Sequence, residues 1–161
     1  MICDRVRTEA FRRAIDSVVR PGDVVLDVGA GSGILSLFAA RAGAERVYAV
    51  ERTTVAVLAQ ELAAANGVAE VVQVIHGDLL DIELPERVDV IVSEWLGGFG
   101  IDEGMLVPVI VARDRWLKPG GYQFTSLPTE NVWYRGMRVV LRRTTPPDYY
   151  HSAGGGGDAP R

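Results

Sequence analysis

Residues 24–34 read VVLDVGAGSGI, and this stretch decides the fold class. Its first five residues are apolar apart from Asp27, which predicts a strand covered on both faces. Gly29, Gly31 and Gly33 then predict a tight turn, because glycine adopts backbone angles that other residues resist. The leucine- and alanine-rich residues 34–42 follow as a predicted helix. A strand, a glycine turn and a helix in this order are typical of a ligand site in a parallel α/β sheet.

The rest of the chain alternates between short apolar runs and segments with helical periodicity. Further strands are predicted at residues 47–50, 71–75, 88–92 and 122–125, with one or two more in 131–141. Further helices are predicted at residues 4–19, 54–66 and 103–117, the last followed by a turn at 118–121. This alternation predicts a doubly wound α/β domain with a mostly parallel sheet. We expect that domain to cover residues 1–145 and a glycine-rich, disordered tail to cover 146–161.

Composition narrows the classes of function. The chain has 161 residues, a net charge of −4 and a single cysteine, Cys3. The acidic balance argues against a bulk nucleic-acid interface. One cysteine excludes an internal disulfide framework and a multi-cysteine zinc site. No apolar run approaches the ~20 residues of a membrane span, and no signal-peptide core follows the N-terminus, so we expect a cytoplasmic protein without a membrane partner.

The spacing of the glycines favours a nucleoside ligand without a diphosphate. A dinucleotide fingerprint requires glycine at position 34, where the chain has Ile34, and no phosphate-binding lysine motif is present. Glu51 ends the next predicted strand and can accept the hydroxyl protons of a ribose. Asp78 follows the third strand, where it can accept from an adenine amino group; an ordinary solvated loop acid is an equal interpretation. Together these residues favour S-adenosylmethionine.

The fourth predicted strand runs into an acidic, glycine-rich loop, SEWLGGFGIDEG at residues 93–104. Glu94 and Glu103 bracket this loop at the end of the sheet where ligands of such folds bind. Two carboxylates can hold a planar guanidinium and aim one of its nitrogens at a methyl sulfonium. The alternative stays open that Glu103 caps the next helix and Glu94 is an ordinary loop acid.

Several of these motifs resemble those of the protein arginine methyltransferases. Similar to family motifs are DRVRT at 4–8, VLDVGAGSGIL at 25–35, AVE at 49–51, the double-glutamate loop from 93 to 106, and ARDRWLKPGG at 112–121. The resemblance implies a Rossmann-like class I methyltransferase fold. It also implies S-adenosylmethionine as the methyl donor and S-adenosylhomocysteine as the product.

The resemblance further implies roles for individual residues. Arg7 would meet the methionine carboxylate of the donor, and Glu94 and Glu103 would be the catalytic pair that holds the acceptor. The implied donor-binding set, which includes no metal ligand, is Arg7, Asp27, Gly29, Gly31, Gly33, Glu51, Asp78 and Leu79.

The acceptor is left open between a protein arginine and a small-molecule amine. Residues 125–161 contain no Thr-His-Trp loop of the kind that the family's β-barrel supplies, so we keep a donor-binding module that needs a partner chain as a further alternative. We expect a monomer or weak dimer. A basic cluster follows Phe124, and we interpret it as a solvated strand face rather than a nucleic-acid interface: Arg135, Arg138, Arg142 and Arg143.

Overall fold

The computed structural model describes residues 4–94, 105–127 and 138–143. Its strands are β1 Val24–Val28, β2 Arg46–Glu51, β3 Val72–His76, β4 Val88–Ser93, β5 Leu117–Leu127 and β6 Arg138–Arg143. Its helices are α1 Arg5–Val18, α2 Ile34–Arg41, α3 Val55–Ala65 and α4 Leu106–Trp116. No helix within this described part is long and apolar enough to cross a membrane.

The strands form one sheet in the order β3-β2-β1-β4-β5-β6. The first five pair in parallel, and β6 pairs with β5 in the antiparallel direction. The order reverses between β1 and β4, and open α/β sheets carry their ligand crevice at the carboxyl ends of the strands at such a point. The predicted doubly wound, mostly parallel α/β fold is confirmed.

Helices cover both faces of the sheet, which explains the continuous apolar strands. On one face, Phe11 and Ile15 of α1 pack with Val25 and Val47 of the sheet in a cluster that also includes side chains of α2 and α3. On the other face, Val109 and Trp116 of α4 pack in a second cluster, whose sheet members include Leu26, Tyr48 and Ile91. Neighbouring residues of one strand therefore enter different cores, and a run such as VVLDV is buried throughout.

The prediction of a turn at residues 118–121 was wrong, because these residues belong to β5. The pairing with β4 jumps from Val88–Leu117 to Val90–Tyr122, so the extra residues of β5 form an irregularity in the ladder. Gly120 has a φ of 80° there. A Cβ atom on Gly121 would lie 2.7 Å from the Asp89 carbonyl oxygen. Proline and glycine, which in sequence indicate a turn, here permit a bulge.

The boundaries of the other elements differ from the predictions by a few residues. Strand β6 extends two residues beyond the predicted segment 131–141, to Arg143, because its pairing with β5 continues to Tyr122. Helix α4 begins at Leu106, whereas the prediction began at Glu103, which lies outside the described residues. The predicted tail at 146–161 lies outside them as well.

Candidate functional site

A cavity of about 480 Å³ opens at the carboxyl ends of β1, β2 and β4, at the point where the strand order reverses. Five of its lining residues were singled out from the sequence: Gly29, Glu51, Asp78, Leu79 and Glu94. The remaining lining residues are Val28, Val50, Arg52, Thr53, Gly77, Met105 and Pro108. The cavity thus brings together acids from three strand ends and one wall of the glycine turn.

The glycine turn is held against the end of β2. The main-chain N–H groups of Gly29 and Ala30 both donate to the Val50 carbonyl oxygen, at 3.0 Å each. Gly29 has a φ of 71°, and a Cβ atom there would lie 2.9 Å from Met105 Cε. Gly31, with a φ of 53°, and Gly33, with a φ of 77°, complete the turn and lead into α2. Glycine is required here for backbone conformation, and a Cβ at Gly29 would also displace the flexible Met105 side chain at the cavity wall.

Glu51 presents an ionised carboxylate at the cavity wall. Its Oε1 atom accepts from Thr53 N at 2.8 Å and Thr53 Oγ1 at 2.7 Å, and its Oε2 atom accepts from Gly31 N at 2.9 Å. Burial opposes ionisation, but the hydrogen bonds from Thr53 and Gly31 outweigh it and lower the pKa of Glu51. The same carboxylate therefore joins the glycine turn to β2 and carries negative charge into the cavity.

Arg7 and Glu94 meet although 87 residues separate them in the chain. Arg7 Nη1, near the start of α1, donates to Glu94 Oε1, just after β4, at 2.8 Å. Asp4 accepts from Arg7 N as the cap of α1 and lies 3.3 Å from Arg7 Nε through its second oxygen. Arg7 Nε is buried and has no hydrogen-bond partner within the described residues. The pair places a carboxylate that already holds a guanidinium beside the cavity.

Asp78 and Leu79 close the cavity on the β3 side. Gly77 N donates to the Glu51 carbonyl oxygen at 3.0 Å, which fixes the segment after β3 against β2. Asp78 Oδ1 accepts from Leu80 N at 3.0 Å, so one carboxylate oxygen shapes the local turn. Leu79 is buried and belongs to the second hydrophobic cluster, so it offers an apolar wall.

The structure does not bring Asp27 to the cavity lining. Asp27 is 1% exposed, and its Oδ2 atom accepts from both the main-chain N and the hydroxyl of Ser36 in α2. Burial raises the pKa of Asp27 to about 7, against the opposing effect of the Ser36 hydrogen bonds. Glu103, the other predicted member of the acidic pair, lies outside the described residues.

Some lining residues were missed in the sequence. Thr53 follows Glu51 by two residues, and a hydroxyl at that spacing can bond an adjacent acid, which was an available signal. Arg52 lies between them and makes no hydrogen bond or ion pair with any described residue. Met105 and Pro108 reach the cavity from the start of α4, and only the three-dimensional packing reveals them.

Comparison with known proteins identifies the fold's family. The family model described as ribosomal protein L11 methyltransferase (PrmA) matches residues 8–126. The chain belongs to the class I methyltransferases. Its homologues are protein arginine N-methyltransferases, as the motifs predicted: arginine N-methyltransferase PRMT10 of Oryza sativa subsp. japonica is 55% identical over 128 residues, which are 78% of this chain and 34% of that protein.

Solved structures support the same assignment. Arabidopsis thaliana protein arginine methyltransferase 10 matches with a TM-score of 0.74 at 51% identity, over 76% of this chain and 36% of that one. The Trypanosoma brucei PRMT1 enzyme-prozyme heterotetramer, solved with AdoHcy, matches with a TM-score of 0.73 at 44% identity, over 76% of this chain and 39% of that one. The chain spans about a third of the length of the curated relatives it matches.

Proposed function

We propose that the chain is the donor-binding part of an S-adenosylmethionine-dependent protein arginine N-methyltransferase. The observation that carries this proposal is the 2.8 Å contact between Arg7 Nη1 and Glu94 Oε1 beside the cavity. A carboxylate that accepts from the guanidinium of its own chain has the chemistry needed to accept from a substrate guanidinium. Its side chain is 15% exposed, so a positive partner is strongly favoured there.

The cavity residues suit S-adenosylmethionine in chemistry. Glu51 is held ionised, and its Oε2 atom, which accepts one hydrogen bond from Gly31 N, keeps an acceptor position for a ribose hydroxyl. The Arg7 guanidinium, which pairs with Asp4 and with the lining residue Glu94, has the charge to attract an anionic group such as the donor's carboxylate. The positive φ angles of the glycine turn, and the lack of a Cβ at Gly29, let a ligand approach the backbone. Asp78 and Leu79 offer an acceptor and an apolar wall to the adenine.

In this proposal the protein orients the acceptor and stabilises its charge. The bound donor would supply an electrophilic methyl group on a sulfonium. Glu94 would hold the acceptor guanidinium with one nitrogen free to attack, and its negative charge would offset the charge of the cation. Glu103 is assigned to the same task by its spacing from Glu94 and by the family resemblance. Because Arg7 contacts Glu94, the donor and acceptor ends of the site are in direct electrostatic contact.

The proposed acceptor is an arginine in a protein. Support comes from the names of relatives that are 50–56% identical to this chain, all of them arginine methyltransferases. The matching family model also describes a methyltransferase, but its name gives ribosomal protein L11 as the acceptor. Identity above half over 128 residues is the more specific of the two signals. A small-molecule amine acceptor and a need for a partner chain both predict donor binding without methyl transfer to a peptide in the following experiment.

The test begins with the wild-type chain. Calorimetric titration with S-adenosylhomocysteine should give a dissociation constant of ~1 µM or tighter, about 8 kcal/mol of binding free energy. Methyl-labelled donor should then transfer its label to an arginine-containing peptide and not to the same peptide with lysine in place of arginine. Folded protein that releases no heat would refute the proposal. Binding without transfer to any peptide would contradict activity of this chain alone.

The role of Glu94 is tested by Glu94→Gln. The amide keeps the size of the side chain but loses the charge that holds a guanidinium, so methyl transfer should fall by at least ~100-fold while S-adenosylhomocysteine binding changes by less than about fivefold. Glu86→Gln is the matched control, because Glu86 also faces an arginine, Arg46 at 3.9 Å, but lies away from the cavity lining. Transfer retained by Glu94→Gln would exclude the assigned role.

A further inference from the structure

The carboxylate of Asp27 is tied to α2 rather than to the cavity. Its Oδ2 atom accepts from Ser36 N at 3.0 Å and from Ser36 Oγ at 2.7 Å. Both residues are buried, with Asp27 1% and Ser36 0% exposed. A buried acid with two short hydrogen bonds to one residue is a fixed link, here between the end of β1 and the first turn of α2.

Helix α2 needs this carboxylate because its own cap cannot supply one. The capping position is Gly33, which has no side chain and makes no side-chain cap hydrogen bond. Ser36 is the third residue of α2, so its N–H is one of those that no carbonyl within the helix can accept. A carboxylate at this end is also favoured by the helix dipole. Asp27 thus caps α2 from the neighbouring strand.

The glycine turn lies between Asp27 and Ser36 in the chain, the two residues that this link joins. Its first part is held by the Val50 carbonyl oxygen and its middle by Glu51 Oε2. Its last part leads directly into the helix that Asp27 caps through Ser36. A turn with three glycines at positive φ has many alternative conformations, so fixing both of its ends restricts the ensemble to the one that presents Gly29 to the cavity.

We propose that Asp27 and Ser36 form a positioning pair for the glycine turn, so that Asp27 affects the donor through Ser36 and the turn rather than by touching it. This inference rests on the proposed function, because it assigns a role toward the same donor. It replaces the direct contact of Asp27 that the family resemblance implied.

A double-mutant cycle separates the two roles. Asp27→Asn, Ser36→Ala and the double variant are titrated with S-adenosylhomocysteine by calorimetry. Each single change should weaken binding by ~3–10-fold. The loss in the double variant should be smaller than the sum of the two single losses, because Ser36→Ala removes the hydroxyl bond that Asp27→Asn weakens, while the bond from the Ser36 main-chain N survives in the serine variant. Ser17→Ala, which removes a serine hydroxyl bonded within α1 to the Ala14 carbonyl, should leave affinity unchanged. Additive losses, or single variants with wild-type affinity, would overturn the pair.

The wild-type chain provides a second measurement that needs no variant. Burial raises the pKa of Asp27 to about 7, the charged group acting on it is Glu51, and its pairing neighbours Ala49 and Val92 are uncharged. Because an ionised carboxylate is the stronger acceptor, the exchange protection of the Ser36 amide in donor-free protein should rise between pH 6 and pH 8. The Leu37 amide, which donates to the Gly33 carbonyl, is the internal reference.

Protection of the Ser36 amide that stays constant relative to Leu37 over that range would contradict the link. The outcomes also separate this inference from the proposed function. Wild-type protein that fails to bind S-adenosylhomocysteine counts against the function itself. Wild-type binding combined with additive losses counts only against the positioning pair.

Discussion

The two ends of the sheet carry cavities of the same size and of different chemistry. The cavity at the carboxyl ends of the strands and a second one at their amino ends each enclose about 480 Å³. In the second cavity the charged side chains already have partners within the protein. Asp89 accepts from Val24 N and from Lys118 Nζ. The Arg20 guanidinium donates to the carbonyl oxygens of Ser17 and Val19.

The cavity at the carboxyl ends retains unused polar groups. The Arg52 guanidinium on the lining makes no hydrogen bond or ion pair within the part of the chain that the structure describes, although its charge acts on Glu51. Asp78 uses one carboxylate oxygen for its own turn. Volume therefore does not distinguish a ligand site from a structural recess, whereas remaining hydrogen-bonding capacity does.

The largest expected difference between the two cavities is in donor affinity, when one acidic side chain of each cavity is replaced by its amide. Glu51→Gln replaces an ionised acceptor with an amide, and the amide NH₂ group would lie against the N–H donors of Gly31 or Thr53. The affinity for S-adenosylhomocysteine should therefore fall by ~100-fold, about 3 kcal/mol. Asp89→Asn changes the same group at the amino-end cavity, and calorimetry should show donor affinity within about twofold of wild type. Equal losses from both variants would remove the functional distinction between the cavities.

The next contrast concerns pH. Asp27 is buried without a cationic partner and its pKa is raised to about 7, so the folded chain keeps a proton there that the unfolded chain has already released. Its contribution to the free energy of unfolding is complete below about pH 4 and is lost as the pH rises through 7. Stability should fall by about 3 kcal/mol between pH 5 and pH 8.

Urea unfolding at several pH values measures this effect, with Asp27→Asn as the comparison. The free energy of unfolding of Asp27→Asn should not decline over this pH range, because asparagine has no carboxyl proton to release. The lowered pKa of Glu51 acts in the opposite sense, but only below about pH 5, where its ionised form is lost. A wild-type profile parallel to that of the variant would contradict the assignment to Asp27.

The smallest contrast uses one glycine from each cavity. Gly29 and Gly120 have φ angles of 71° and 80°, so alanine at either position should cost about 1 kcal/mol of stability and lower the melting temperature by about 3 °C. Only at Gly29 would the new Cβ push on Met105, a lining residue, from 2.9 Å; Gly120 has open space. Gly29→Ala should therefore weaken donor binding about fivefold, and Gly120→Ala should not change it.

The fold was largely predictable because its signals are local. The run VVLDV, the glycine turn and the leucine- and alanine-rich helix that follows lie within about 20 residues, and each obeys a rule of propensity or periodicity. Strand β5 departs from such rules. Its Lys-Pro-Gly-Gly segment favours a turn, and only the pairing with β4, which needs extra residues beside Asp89, makes it part of a strand.

The sequence predicted most of the residues of the site, but not which of them contact each other. The positions of Glu51 and Asp78 follow from the ends of strands, and the resemblance indicated Arg7. The contact of Arg7 with Glu94 spans 87 residues, and no periodicity encodes it. Asp27 was recognised as an unusual acid in an apolar run, yet its partner Ser36 depends on how α2 packs against β1. Motifs identify residue types, whereas partners arise from tertiary packing.

Helix α1, which carries Arg7, contacts α2 and also β6 at the far end of the described chain. The contacts between α1 and β6 therefore join segments that lie about 120 residues or more apart in the chain. The face of α1 that carries Phe11 and Ile15 packs on nearby parts of the chain, β1, β2 and α2, so it does not depend on β6. We therefore expect the edge of α1 that meets β6 to gain hydrogen-exchange protection later than the face that meets the sheet.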